Sequence, residues 1–382
     1  MISFWEKDYF ENGCYDVVVV GGGIVGSAAS VFLKKQKRNC KVLVIEKEVF
    51  GTQATTKNAG FACIGSPSEL SANLAGANAR HVQQLLAWKW KGIEKLLTLL
   101  GKTKTHYQHT KAYDLFDHNT RQSYHQSLNG LDELNHIAKQ VTKIYPFYEP
   151  NDLALKGFGF EGFDRCLQIN HEGQIHSAHT LHHLQLKSQN FDVRWLRGHS
   201  VSSYHIENEC VVVNTSNDLK IKTRHLLVCN NAFAGQILPS IGVEPGRGQV
   251  LVTKPLSHFL PFKGNFHYNE GYVYFRNVGN NRLLLGGGRN LDFETENQSQ
   301  LGENTLILDH LKAFLSEKIL PKHQKIPVEI EQSWSGIMGF TGSGLPIVKT
   351  IEPRLHCAVG LNGMGVAMGV YVGNLAANLI NK

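Results

Sequence analysis

Cysteine is sparse in this sequence and shows no pairing pattern. The seven residues, at 14, 40, 63, 166, 210, 229 and 357, are an odd number with no C-x-x-C among them. They sit mostly beside apolar residues, as in Val228-Cys229 and Cys357-Ala358-Val359. That usage fits free, buried thiols in a reducing cytosol. Long apolar runs are also missing. Gly, Asn or charge breaks each one before it reaches the length of a membrane span, so none is expected. The start, Met1 to Asp8, lacks the basic and apolar segments of a signal peptide, and a cytoplasmic location is the expectation. Strong charge clustering is absent as well. The formal net charge is +7, but no basic run exceeds Lys34 to Arg38. The charge therefore reads as a solubility term or a mild pull on anionic ligands, and no nucleic-acid partner is expected. No internal repeat is visible.

What is present is glycine and β-branched apolar sequence. The 382 residues are enough for two domains, and 42% apolar with 19% charged is ordinary for a globular chain. The 37 glycines cluster at a few places, which suggests tight turns and close backbone approach. Asp16 to Val20 reads as a strand buried on both faces, Ile24 to Lys35 as a helix, and Lys41 to Ile45 as a second buried strand. Strand, helix, strand over so short a span is a βαβ unit with a parallel sheet and a right-handed crossover. A long irregular segment follows, Glu46 to Ser66, and then a helical pattern from Ser68 to Leu100. Strand-like segments at 167–169, 193–196, 200–206, 210–214 and 225–229 surround a helix at 179–186. Alternating or apolar runs at 247–253, 271–276 and 282–286 suggest an antiparallel sheet. The chain closes with a strand, Leu355 to Val359, a Gly-rich turn and a helix from Gly365 to Ile380.

The expected fold class is α/β. A parallel-sheet domain is assembled from residues 1–75, 165–240 and 336–382, and an α+β domain with a mixed or antiparallel sheet is inserted as 76–164 and 241–335.

Gly21 to Gly26 satisfies G-x-G-x-x-G directly after the first strand and at the opening of the first helix, the context that gives the motif its specificity. Gly21 supplies the tight turn, Gly23 lets the backbone approach a pyrophosphate, and Gly26 lets helix and strand pack closely. The helix start at Ile24 and Val25 offers N–H groups to the phosphates. Glu46, followed by Lys47, ends the second strand about twenty residues further on, where a carboxylate accepts from ribose hydroxyls and disfavours NADP. The stretch Thr55, Thr56, Lys57, Asn58, Ala59, Gly60 and Phe61 brings hydroxyls, a cation, an amide and small residues to the next position. Such a loop can run along the pyrophosphate towards a flat ring. The alternative is an ordinary polar loop, which has no need of the small apolar residues. The fingerprint alone leaves FAD and NAD open.

In their order along the chain, these motifs resemble the D-amino-acid oxidase superfamily of FAD-dependent oxidoreductases, which includes glycine and sarcosine oxidases. The further matches are Arg247-Gly248-Gln249, Leu283 to Gly287, Trp334 to Ile337 with Gly336, Leu345 to Val348, and Gly360 to Val366. The resemblance implies a Rossmann-like domain holding non-covalent FAD, with the flavin at the domain interface and Phe61 near it. It implies that Val201 contacts the cofactor through its backbone. Asn230 and Asn231 stand where the family has Thr and Gly. Gly363, Met364, Gly365 and Val366 open the last helix, whose N–H groups can stabilise the negative charge of a reduced flavin.

The implied reaction is oxidation of a C–N bond in a small amine or amino acid, by hydride transfer to flavin N5. The electron acceptor, oxygen or another molecule, is left open. Met338 replaces the Arg that carboxylate-recognising relatives place after the W-S-G motif. Arg276 and Arg289 are the guanidiniums that could substitute for it, although an Arg near a sheet end is more often a surface residue. Tyr272 and Tyr274, with Trp334, could wall the substrate pocket or simply pack in the core. The position matching the oxygen-promoting Lys of sarcosine oxidases, within Leu283 to Gly286, is apolar. Two other readings stay open: an NAD-dependent dehydrogenase and a nucleic-acid-associated flavoprotein. No metal site is expected, and the histidines at 171, 176, 179, 182 and 183 read as a solvated helix face.

Overall fold

A computed structural model describes residues 2–49, 54–76, 78–257, 259–320 and 328–380. Part of the long loop read from 46–66, and the extreme ends of the expected domain pieces, lie outside these residues.

Two sheets organise the described chain. The first runs Ile347–Glu352, Leu355–Val359, Lys220–Val228, Cys14–Val20, Val42–Glu46, Arg194–Arg197, with the Val201–Glu207 and Cys210–Thr215 strands paired beyond this path. Its centre is parallel: Cys14–Val20 pairs in parallel with Val42–Glu46 on one side and Lys220–Val228 on the other. Such strands are buried on both faces, which is why the sequence there is a run of Val, Leu and Ile rather than an alternation. The crossover helix Ile24–Gln36 and the last helix, Gly365–Ile380, cover one face.

Gly369 and Gly373 set how closely those two helices approach. A Cβ added to Gly369 would fall 2.5 Å from Ile24 Cγ2, and one on Gly373 would fall 2.7 Å from the Ala28 Cβ. Four-residue spacing puts both glycines on one helix face, so the last helix lies directly on the first. The two ends of the chain thereby share one domain core.

The second sheet has the order Ile330–Thr341, Val243–Thr253, Arg282–Gly287, Val273–Val278, Asn265–Tyr268, Gln108–Phe116, Arg165–Gln174, Phe61–Ala62. Its pairs are antiparallel except Asn265–Tyr268 with Gln108–Phe116. One face packs on Phe and Leu side chains with the Thr305–Phe314 helix. The opposite face carries the site described below.

Several elements depart from the sequence reading. The helical pattern at 68–100 is two helices, Pro67–Gly76 and Ala79–Thr105. Asn78 caps the second by accepting from the His81 N–H, and Gly101 leaves the helical region at φ 80°. The apolar spacing continues across the break, so periodicity alone could not place it. The strand 165–174 was expected with the nucleotide-binding piece, yet it hydrogen-bonds within the second sheet. The strand 330–341 crosses the expected boundary at 336, and Phe61–Ala62 also joins the second sheet. Sheet membership depends on distant partners that a short apolar run does not reveal.

Candidate functional site

The strand Cys14–Val20 ends in a turn that only glycine permits. Gly21 has φ 100° and donates its N–H to the Ile45 carbonyl at 2.8 Å. Gly26 faces the same turn, and a Cβ there would sit 1.9 Å from the Gly21 oxygen. Gly23 caps the helix with extended backbone and no side-chain bond, so the first turn keeps its N–H groups for other acceptors. One of them, on Ile24, donates to Thr55 Oγ1 at 3.1 Å. Glu46 is buried at the end of the next strand. Its Oε2 accepts from the Gly22 N–H at 2.6 Å and its Oε1 from the Glu48 N–H at 2.9 Å. Lys47 points to solvent. A side-chain-free helix start beside a buried carboxylate fits the diphosphate and ribose of a dinucleotide.

The loop after Glu46 ties this cradle to the second sheet. Asn58 pins it internally: its Nδ2 donates to the Thr55 carbonyl at 2.7 Å, and its Oδ1 accepts from the Gly60 N–H at 2.8 Å and Ser177 Oγ at 2.6 Å. Trp334 Nε1 donates to the Lys57 carbonyl at 3.0 Å, and a Cβ on Gly336 would meet Lys57 Cβ at 3.1 Å. Arg276 Nε donates to the Ala59 carbonyl at 2.7 Å. Ala59 and Phe61 then pack with Val250, Tyr274, Leu284 and Trp334 on the open face of the second sheet. Burial pushes the Tyr274 phenol up to about 12.

The C-terminal turn is held from the first sheet. Asn231, at φ 49°, accepts the N–H groups of Gly360 and Leu361 at 2.9 and 3.1 Å. Gly363 takes φ 78°, and the Met364 N–H bonds to the Leu361 carbonyl at 2.8 Å before the helix begins at Gly365. Met338 reaches this turn, since its sulfur would lie 3.4 Å from a Cβ on Gly363. Asn230 donates to the Phe233 carbonyl at 2.9 Å. Val201 opens an outer hairpin of the first sheet and packs on the apolar layer that holds Val20, Ile45 and Val228, the residues that precede Gly21, Glu46 and Cys229.

Three sequence candidates sit differently from a simple substrate clamp. Arg276 is buried, and beyond Ala59 it donates to Gln174 Oε1 at 2.9 Å and the Ile175 carbonyl at 3.3 Å. Burial lowers its pKa to about 10. Its donors serve the loop. Met338 offers a thioether. Tyr272 is 38% exposed at the rim, edge-on to Phe293.

Arg289 occupies the ground near Met338. Met338 pairs with Gly246 in the sheet, and a Cβ on Gly246 would fall 2.9 Å from Arg289 Nη2. The guanidinium lies over the rings of Phe340 at 4.3 Å and Phe293 at 4.9 Å. Nη2 also bonds the Asn297 side chain, while the buried Nε has no hydrogen-bond partner among the described residues.

Sequence reasoning missed a second polar group altogether. His267, Glu172, Asp114, Lys89 and Glu69 come together from five separate elements, and no motif spacing links them.

Of the histidines at 171–183, His179, His182 and His183 lie on the Ser177–Gln189 helix and His176 caps it. His171 departs from the expected helix face: it is half-buried in the strand Arg165–Gln174, its ring nitrogen 3.0 Å from that of His109. His176 and His179 are exposed, and His179 stacks on His106 with centroids 4.3 Å apart. Among the described residues no cluster of His, Cys, Asp or Glu is placed to hold a metal, and no helix is long and apolar enough to cross a membrane.

Comparison with known proteins places this geometry. The family model DAO, FAD dependent oxidoreductase, matches residues 16–379. The glycine oxidase of Geobacillus kaustophilus is 24% identical over 382 residues, covering 96% of this chain and 93% of that protein. A probable oxidoreductase, OrdL, of Haemophilus influenzae is 22% identical over 376 residues, covering 96% of this chain and 82% of its own length. Among solved structures, the L-proline dehydrogenase of P. horikoshii superposes with a TM-score of 0.75 at 19% identity, over 96% of this chain and 93% of that one.

Proposed function

The chain belongs to the DAO family of FAD-dependent oxidoreductases, and from that premise we propose that it oxidises a C–N bond of a small amine or amino acid. The glycine oxidases and the proline dehydrogenase among its relatives favour that substrate class. The NAD-dependent alternative falls away with the family membership. The observation that carries the reading is the 54–61 loop. Thr55 bonds the nucleotide-binding helix start, and Lys57 and Ala59 are bonded to the aromatic face of the second sheet.

Gly21, Gly23, Gly26 and Glu46 would hold the nucleotide half of FAD. The backbone of Ala59 to Phe61, Gly336, and Gly363 to Val366 would hold the ring. Bound FAD supplies the acceptor for the hydride that leaves the carbon beside nitrogen. The remaining work falls to the chain. Phe61, Tyr274 and Trp334 keep the face dry, which favours the neutral amine. The start of the last helix offers N–H groups and a positive dipole end to developing negative charge. Arg289, rather than Arg276, is placed to anchor a carboxylate, because its Nε is uncommitted and it overlies the Gly246–Met338 pair.

Attachment of the flavin is non-covalent in this reading. Cys63 is buried beside Met364, with Sγ 3.8 Å from the Met364 sulfur, and burial pushes its thiol pKa well up, against the thiolate that attachment needs. The stretch Leu283 to Gly286, which matches the oxygen-promoting position, is apolar, with Leu284 buried beside Phe61 and Trp334, and this favours dehydrogenase or slow oxidase behaviour.

Anaerobic mixing of the yellow protein with a panel of amines and amino acids tests the reading. Bleaching of the flavin by one of them is expected, and slow recovery in air follows from Leu284. Protein that stays colourless with added FAD refutes it. With an amino acid as substrate, Arg289→Gln should raise KM at least tenfold and leave the KM of the decarboxylated amine unchanged.

A further inference from the structure

The charged group behind the strand Phe61–Ala62 plays no part in the reading above. Glu172 is 2% exposed and lines a cavity of about 100 Å³. Ile64, Ile93, Trp90 and Tyr107 form much of its wall, and exposed Glu94 stands at its rim. Glu172 Oε2 accepts from Asn265 Nδ2 at 3.0 Å and lies 3.3 Å from His267 Nε2. Its Oε1 is buried with no hydrogen-bond partner among the described residues. Asp114 pairs in register with His267 and accepts the Ser68 N–H at 2.8 Å on Oδ2. Its Oδ1 is likewise without a partner among the described residues. Lys89, 1% exposed, is already bonded to Glu69 at 3.0 Å.

The charge balance is uneven. Glu69, Glu172 and Asp114 face the Lys89 ammonium and the His267 imidazole, while His171, which lines the cavity beside Glu172, has its pKa lowered by burial and by His109; even a protonated His267 then leaves one negative charge uncompensated. Burial opposes charging His267, but the charge and hydrogen bond of Glu172 outweigh it and raise its pKa. Burial also raises Asp114, to about 6. Unpaired buried charge costs several kcal/mol, and a water molecule could cap Oε1 without removing that charge. An ammonium ion brings donors and positive charge together, and the Trp90 and Tyr107 rings favour a cation nearby.

We propose that this cavity is a binding site for a small primary alkylammonium group, held by Glu172 between the Trp90 and Tyr107 rings. The site goes beyond the oxidised amine and needs no turnover to detect.

Propylammonium chloride is the probe, with 1-propanol as its neutral shape match and potassium chloride at equal ionic strength as the salt control. Calorimetric titration and thermal melting of the FAD-loaded protein are the readouts. Saturable binding of propylammonium is expected. At ten times Kd the melting temperature should rise by roughly 2 °C. Neither control should reproduce this. Glu172→Gln should weaken binding at least tenfold. Ile93→Phe, which fills the cavity and leaves Glu172 in place, should do the same, and it stands as the test if Glu172→Gln does not fold. The proposal is overturned by non-saturable binding, by an equal response to 1-propanol or potassium chloride, or by undiminished binding in a folded variant of either kind. Because binding rather than oxidation is read, failure here leaves the proposed reaction untouched.

Discussion

Arg276 Nε and the Ala59 carbonyl stand 2.7 Å apart, joining the middle of the second sheet to the loop that follows the strand Val42–Glu46. The same guanidinium reaches Gln174 and the Ile175 carbonyl, so it fastens three segments at once. With a pKa near 10 it remains charged at neutral pH, and charged donors to carbonyls are stronger than neutral ones.

Replacing it by Met should therefore act on stability and cofactor retention before it acts on substrate. Arg276→Met is expected to cost about 3 kcal/mol, read as a fall of about 4 °C in melting temperature. Bound FAD should drop with it. A variant that melts normally, keeps its FAD and shows only a raised KM would instead make Arg276 the substrate anchor.

Glu46 makes a separate prediction. It accepts the Gly22 and Glu48 N–H groups and is buried beside the helix start. Glu46→Gln keeps the shape and removes the charge that a ribose hydroxyl would meet. Fluorescence titration of apoprotein should show FAD bound about ten to a hundred times more weakly, equivalent to about 1.4–2.7 kcal/mol.

Asp114 predicts a pH dependence. Its carboxyl is raised to about 6 in the folded chain by burial, partly offset by its bonds to Ser68, against an ordinary value of 3.8. The folded state therefore binds more protons than the unfolded state between those values. Stability from this group is present below the unfolded pKa and is lost as pH rises to the folded one. His267 acts in the same direction, because its raised pKa also favours the protonated folded form. Asp114→Asn should flatten the decline between about pH 4 and 6 and raise stability at pH 7, by at most about 3 kcal/mol. Urea unfolding across that range measures it. An unchanged slope would mean that the Asp114 proton is not held as described.

Legibility along the chain followed the range of the forces involved. The turn at Gly21 to Gly26, the flanking strands and the final helix at 365–380 were readable, since tight turns, burial on both faces and helical spacing are written in adjacent residues. The Ser3–Glu6 capping box, with both of its bonds formed, marks the Phe4–Glu11 helix in the same local language, although it was not read from the sequence. The role of Arg276 was not readable. An Arg near a sheet end looks identical in sequence whether it meets solvent, a ligand or three segments of its own chain. Nor was the assembly of Glu172, His267 and Asp114, which depends on the register between strands far apart in the chain.

By itself, the order of residues settled the glycine turn after the first strand. Only glycine tolerates the Gly21 backbone angle and the contact at Gly26. Which arginine is tied up within its own chain, which carboxylates are left unpartnered among the described residues, and to which sheet the strand at 165–174 belongs were decided only by tertiary structure. Those outcomes depend on pairing energies between segments a hundred residues apart, and no local pattern encodes which partner wins.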